Sequence, residues 1–251
     1  MHCDGTVQLI TVSTTATEPT TGNVVWAGRV PDSKSWARGA NWQGFQQPVN
    51  PTTGSVSFTD TGASASGAVT NTLDESRAIG DLIFSHNELT SHKTEMGGLS
   101  LTTNNFLLGV DLKAGGVTMQ NGTLIVGSAE VPRAMAVGYT NSWAYGVAGS
   151  LTLTNVALEP HLSALRVGSS NMYGPQGKGT LDLTAATVTG GVLKTNELLL
   201  GLGTSSEGYI KLVPATGVGE IAVVKTLKIG TERGRYGKIG DPNNSYKLPP
   251  N

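Results

Sequence analysis

Leu165-Arg166-Val167-Gly168, Leu198-Leu199-Leu200-Gly201 and Leu227-Lys228-Ile229-Gly230, preceded by the shorter Ala136-Val137-Gly138, repeat one pattern: a brief apolar run that ends in glycine. The glycines fall at 138, 168, 201 and 230, which are 30, 33 and 29 residues apart. A polar loop follows each of the first three, and then a fresh strand: Leu151-Thr152-Leu153-Thr154, Leu181-Asp182-Leu183-Thr184 and Ile210-Lys211-Leu212-Val213. A unit of about 30 residues that keeps its strands while its loops vary is the signature of a stacked, solenoid-like architecture. Alternation with period 2 sends the leucines of these strands inward and the Thr or Asp residues outward. Rungs about 4.8 Å apart then line the interior with columns of like side chains. Gly138, Gly168, Gly201 and Gly230 are expected at one corner, where a residue without Cβ accepts left-handed backbone angles.

Composition agrees with an all-β chain. Gly accounts for 34 of 251 residues, charged residues for only 14 %, and Thr is abundant. Such a chain suits many short strands joined by tight turns. No window of eleven or more residues carries a convincing helical period, because Gly or Pro interrupts most candidates. A chain of this length can form one large all-β domain. We divide it into an N-terminal strand with a Thr-rich linker over 1–22, and a solenoid domain over 23–251. Within the domain, 23–103 is the Trp-rich part and 117–251 holds the regular repeats.

The N-terminal strand, Gly5 to Ser13, points Val7, Leu9, Ile10 and Val12 to self-association by strand addition, since a lone strand before a linker has no obvious partner. Residues 1–112 carry 5 basic and 10 acidic side chains, and 113–251 carry 12 and 8, so the two parts have net charges of -5 and +4. That difference is either ordinary variation of a solvated surface or an aid to end-to-end association.

Residues 24–60 hold three of the four tryptophans, enough for a small apolar plug. The order is Val24-Val25-Trp26-Ala27-Gly28, Trp36, Asn41-Trp42, the turn Pro48-Val49-Asn50-Pro51 and Val56-Ser57-Phe58. Arg77-Ala78-Ile79-Gly80-Asp81-Leu82-Ile83-Phe84 and Gly97-Gly98-Leu99-Ser100-Leu101 follow. This succession resembles the opening of autotransporter passenger-like β-solenoids of large bacterial surface proteins, the autotransporter-associated β-strand repeat type. It does so by motif from Val25 to Thr103, and by repeat style only from Leu124 to Gly240. The resemblance implies a right-handed parallel β-helix, secreted or displayed at the cell surface, with a structural or adhesive role. Two departures stand out: neither a C-terminal membrane barrel nor a sorting tail is visible, and no polar cap follows the last repeat.

Several function classes find no support. Nucleic acid is not an expected partner at a net charge of -1. No apolar run has the roughly 18 residues that span a bilayer, so membrane insertion is not expected. The N-terminus lacks the basic-then-apolar pattern of a secretory signal, so an extracellular location would concern a mature chain or a fragment. Cys3 is the single cysteine, which excludes an internal disulfide and a Cys-based zinc site. His86 and His92 flank Glu88, while His2 and His161 stand alone; these read as surface residues, and no metal or other cofactor is expected.

Glycoside hydrolysis needs two carboxylates about 5–10 Å apart. Asp74 and Glu75 are adjacent, so in a strand they would face opposite ways. Asp182, Lys211 and Lys194 are the nearest approach to a polysaccharide-lyase arrangement, and outward charge of this kind usually serves solvation; we expect no enzyme. Asn121-Gly122-Thr123 and Asn243-Asn244-Ser245 match the short glycosylation acceptor pattern.

Tyr145, Tyr173, Tyr209 and Tyr236 each adjoin a glycine in successive repeats. If the repeats are in register, their rings form a contact face for a sugar or a second subunit; otherwise each covers the base of its own loop. The expected role is therefore an extracellular structural or adhesive protein whose main partner is itself, polymerising head to tail. The alternative is a carbohydrate-binding or carbohydrate-active β-helix with polysaccharide as partner.

Overall fold

A computed structural model of the chain describes residues 19–30, 33–59, 69–85, 91–111, 113–140, 147–170, 176–203, 206–212, 220–230, 236–241 and 244–245. Val7, Leu9, Ile10, Val12, Cys3, His86, Glu88, Tyr145 and Tyr173 lie outside them. The fold is all-β, and its sheets are built from parallel strands. One sheet of eight strands contains β1 (Val24–Trp26), β2 (Val56–Phe58), β5 (Leu82–Phe84), β8 (Phe106–Leu108), β10 (Arg133–Val137), β12 (Leu162–Val167), β14 (Val192–Leu200) and β16 (Glu220–Ile229), in that order. The other path contains β3 (Val69–Thr72), β6 (His92–Glu95), β9 (Lys113–Val126), β11 (Val147–Pro160), β13 (Gly177–Val188), β15 (Glu207–Lys211) and β17 (Tyr236–Asp241). The short β18 (Asn244–Ser245) pairs with β17 antiparallel.

A third set of ladders joins β4 (Arg77–Ile79) to β7 (Ser100–Thr103) and β7 to the second half of β9. The long strands turn a corner within their length. β9 pairs with β6 before its corner, Val117 opposite His92, and with β7 after it, Leu124 opposite Leu101. The corner residue is Asn121 at φ 58°, and Asn155 at φ 52° stands at the equivalent place in β11. Asparagine is one of the few residues other than glycine that tolerate this left-handed conformation.

The chain alternates between sheets, so each circuit adds one strand to each. Phe58, Phe84, Leu108, Val137, Val167, Leu200 and Ile229 stand in one register line, and successive circuits take 26, 24, 29, 30, 33 and 29 residues. The repeat legible from Ala136 onward thus continues a ladder that begins at Val24. Alternation does what it predicts: Leu151, Leu153, Leu181 and Leu183 are buried, and Thr152, Thr154 and Asp182 point outward. Burying one such aliphatic side chain is worth roughly 1.5–3 kcal/mol.

The first circuits fill the same inner columns with rings. Phe58 stacks on Phe84 with centroids 4.9 Å apart, close to the strand spacing. Trp42 meets both Trp26 and Trp36 edge to face, at 5.0 and 5.4 Å. The indole N–H of Trp42 donates to the Trp36 carbonyl at 2.8 Å, and that of Trp36 donates to Asn71 Oδ1 at 2.9 Å. The expected apolar plug is therefore a Trp cluster tied by hydrogen bonds to the sheet. The described end of the Thr-rich linker is tied down as well: Thr20 accepts from the Val49 amide and donates to the Gln47 carbonyl, both at 3.0 Å.

Candidate functional site

Gly138, Gly168, Gly201 and Gly230 follow β10, β12, β14 and β16, and all four have positive φ, at 63°, 55°, 62° and 56°. Each amide donates to the last carbonyl of the preceding circuit: Gly138 to Leu108, Gly168 to Val137, Gly201 to Val167 and Gly230 to Leu200, at 2.8–3.0 Å. Gly109, at φ 59° with its amide on Phe84, belongs to the same column, and β9 follows it as β11 follows Gly138; Val117 and Met119 take the places of Leu151 and Leu153, which hid the repeat in the sequence.

Facing this corner is a second glycine line, Gly149, Gly179 and Gly208, in register across β11, β13 and β15. A Cβ on Gly168 would sit 1.8 Å from the Glu207 carbonyl oxygen, and one on Gly179 would sit 2.2 Å from that of Val137. At Gly168 and Gly179 main chain meets main chain along this seam, and at Gly149 the Leu108 side chain takes the space, so none of the three has room for a side chain.

The tyrosines do not share one strand position where they are described. Tyr209 stands opposite Thr180 and Lys238, whereas Tyr236 stands opposite Glu207, two places away along the strand. Gly208, beside Tyr209, has its role in the seam. Tyr139 is buried under the Arg166 guanidinium, 5.0 Å from the ring centroid. Burial pushes its hydroxyl pKa above the ordinary value of 10.0 against the pull of Arg166.

Outward charges pair between circuits. Asp182 accepts from Lys211 at 3.3 Å and Glu197 from Arg166 at 3.0 Å, while Glu207 lies 3.5 Å from Lys178. Burial alone would raise the Asp182 pKa. Hydrogen bonds from the Thr184 hydroxyl and amide, with the Lys211 charge, outweigh it and hold the carboxyl below its ordinary 3.8. Lys194 lies on β14 in the other sheet, so the lyase-like trio reduces to one ion pair. Asp74 and Glu75 depart from the expected opposition, because they lie in a bend and not in a strand. Both reach Arg77 Nη2, at 3.1 and 3.2 Å. His92 departs too: it is 1 % exposed on an inward position of β6, with its ring 5.5 Å from that of Phe58. His161 is partly exposed and lies 3.2 Å from Glu159. Among the described residues no group of three His, Cys, Asp or Glu side chains is placed to hold a metal ion.

A concavity lies at the corner made by Asn121 and Asn155. It has a volume of about 500 Å³. Asn121, Thr123, Asn155, Ala157, Ala185 and Thr187 line it, with Gly98 at one end. Thr123, Ala157 and Thr187 form one outward register column over three circuits. Beside them runs a chain of amides: Asn155 Nδ2 donates to Asn121 Oδ1 at 3.0 Å, and Asn121 Nδ2 donates to Glu95 Oε1 at 3.0 Å. Gln120 Nε2 donates to the other Glu95 oxygen. Burial would raise the Glu95 pKa, but the bonds from Asn121, Gln120 and the Gly97 amide, aided by Lys93, bring it below its ordinary 4.5. In the sequence Asn121 reads only as a glycosylation acceptor. The available signal was a pair of asparagines 34 residues apart, close to the circuit length.

No protein-family model matches the chain, and neither a curated protein nor a solved structure does.

Proposed function

We propose that the chain is a right-handed parallel β-helix of the surface-protein kind its motifs resemble, and that it acts outside the cell as a stiff structural and adhesive element. The observation that carries this reading is the uninterrupted parallel pairing of eight strands from Val24 to Ile229 over a continuous apolar interior. Ladders of that kind make a rod whose stiffness follows from main-chain hydrogen bonds running along its axis, with the loops free to vary.

Head-to-tail association of copies belongs to the same reading. In β16, Leu227 shares a column with Leu198 and Leu165, which are buried, yet it is 57 % exposed; Val224 is 67 % exposed. The acidic part of the chain, 1–112, and the basic part, 113–251, give a second copy complementary charge at the contact. A heterologous contact of this type propagates into a filament unless it closes into a ring. Sedimentation velocity and negative-stain electron microscopy of the full chain test this, beside a chain without residues 1–22 and a Leu227→Lys variant. Concentration-dependent assembly that Leu227→Lys abolishes is expected. A chain that stays monomeric at every concentration removes self-association, and assembly undiminished without residues 1–22 removes the N-terminal strand from it.

A further inference from the structure

We propose that the corner groove beside Asn121 and Asn155 binds a single extended, neutral glycan chain, which gives the rod a defined adhesive site. Four successive circuits contribute to the groove, through Gly98, Asn121 to Thr123, Asn155 to Ala157, and Ala185 with Thr187. At a strand spacing of about 4.8 Å its length is about 14 Å. A groove of about 500 Å³ over that length has room for one extended chain.

The lining selects among extended chains. A peptide that adds a strand needs an unpaired main-chain edge. At Ala157 the floor offers none, since this residue is flanked in the ladder by Thr123 on one side and Thr187 on the other. An apolar tail would leave the Asn and Thr side chains without partners, which is costly on desolvation. An acidic polymer meets the wrong charge, because the carboxylate behind Asn121 is that of Glu95, ionised at neutral pH and held by three donors. What remains is a neutral chain that both donates and accepts hydrogen bonds along its length. Side-chain amides and hydroxyls offer both functions, with Asn121 and Asn155 one circuit apart and Thr123 and Thr187 two.

The small residues of the floor are part of the argument. Ala157 and Ala185 point outward, where larger side chains would be tolerated by the fold but would fill the trough. Asn155 is exposed at its left-handed corner, lines the groove, and donates its amide N–H to Asn121 Oδ1. The site needs no aromatic platform, and Tyr209 is not among its lining residues.

The test is isothermal titration of the full chain with cellohexaose, xylohexaose and mannohexaose, with oligogalacturonate hexamer as the acidic counterpart. At least one neutral hexamer is expected to bind, and the acidic one to bind at least tenfold more weakly. Ala157→Phe and Ala185→Phe, which fill the trough, are expected to weaken binding at least tenfold while the melting temperature stays at that of the wild type. Should Ala157→Phe fail to fold, the more exposed Ala185→Phe decides. Asn155→Gly keeps the positive φ and removes the amide, and it is expected to weaken binding without loss of the ladder. Failure of all three neutral hexamers to bind at millimolar concentration overturns the proposal, as does binding that both filling variants leave intact. Either result leaves the structural reading of the rod untouched.

Discussion

Arg77 Nη1 donates to the carbonyl oxygen of Pro48 at 3.1 Å, and so pins the turn before β2 against β4. Its other terminal nitrogen holds Asp74 and Glu75. The side chain is 3 % exposed, whereas the carboxylates it holds are 26 % and 52 % exposed. The Arg of the Arg-x-Ile-Gly motif is therefore a clamp between circuits. Removing it strands a buried carbonyl more than it strands the carboxylates, which water can reach. Arg77→Met is expected to cost about 2 kcal/mol, in the range for hydrogen bonds to charged groups. Arg77→Lys is expected to restore less than half of that, because an ammonium cannot reach both sides at once as the guanidinium fork does. Urea unfolding midpoints of the three proteins measure this; equal midpoints for Arg77→Lys and wild type would show that only the charge matters.

Two glycines of positive φ separate conformation from contact. Gly190, at φ 77°, has nothing within 4 Å of a built Cβ, while Gly168, at φ 55°, has the Glu207 carbonyl oxygen at 1.8 Å. Gly190→Ala carries only the left-handed penalty, about 1–2 kcal/mol. Gly168→Ala carries that and a collision with main chain that cannot swing aside, so it is expected to abolish the cooperative transition or lower its midpoint several times further. Thermal melts followed by circular dichroism distinguish them, and similar midpoints in the two variants would dissolve the seam as a constraint.

What the sequence showed and what it hid have separate physical causes. Leu151-Thr152-Leu153-Thr154 and its successors were legible because inward and outward positions alternate strictly, and Gly168 and its kin because a left-handed corner admits little else. The circuits from Val24 to Leu108 were not legible as repeats. Their length differs, and rings of Trp26, Phe58 and Phe84 take the column places that Val137, Val167 and Leu200 fill later. β4 and β7 have only 3 and 4 residues, too few for a period. The groove was hidden for another reason: Asn121 and Asn155 meet only through the ladder between β9 and β11, and no single stretch of chain holds both.

Acid should loosen the outward ion pairs in a defined direction. The folded pKa of Asp182 lies below its ordinary 3.8, so this group stabilises the fold fully above that value and loses its contribution as the pH falls toward the lower, folded one. Asp182 is 18 % exposed and its partner Lys211 41 %, so screening limits the ion pair itself to at most about 1 kcal/mol. In Asp182→Asn the part of the stability loss below pH 4 that this carboxyl causes is expected to vanish. Chemical denaturation at pH 7 and at pH 3 provides the comparison. An acid-induced loss as large in the variant as in the wild type would assign it to other carboxylates.

The Trp end offers the sharpest stability readout. Trp36 is fully buried, packs on Trp42 at 5.4 Å and on Phe58 at 5.9 Å, and donates to Asn71 Oδ1. Asn71 is itself buried, and its amide reaches the Lys93 carbonyl at 3.3 Å, so the bond links the plug to β6 through β3. Trp36→Phe keeps most of the apolar volume and deletes the donor, which leaves a buried amide oxygen short of a partner at a cost of about 1–3 kcal/mol. Trp36→Ala adds a cavity among rings and belongs in the range of about 3–5 kcal/mol. Pairing Trp36→Phe with Asn71→Leu closes a double-mutant cycle in which the two losses should be less than additive, since either change alone already breaks the bond. Strict additivity, measured from denaturant midpoints at constant slope, would mean that the plug is held by packing and not by the Trp36–Asn71 bond.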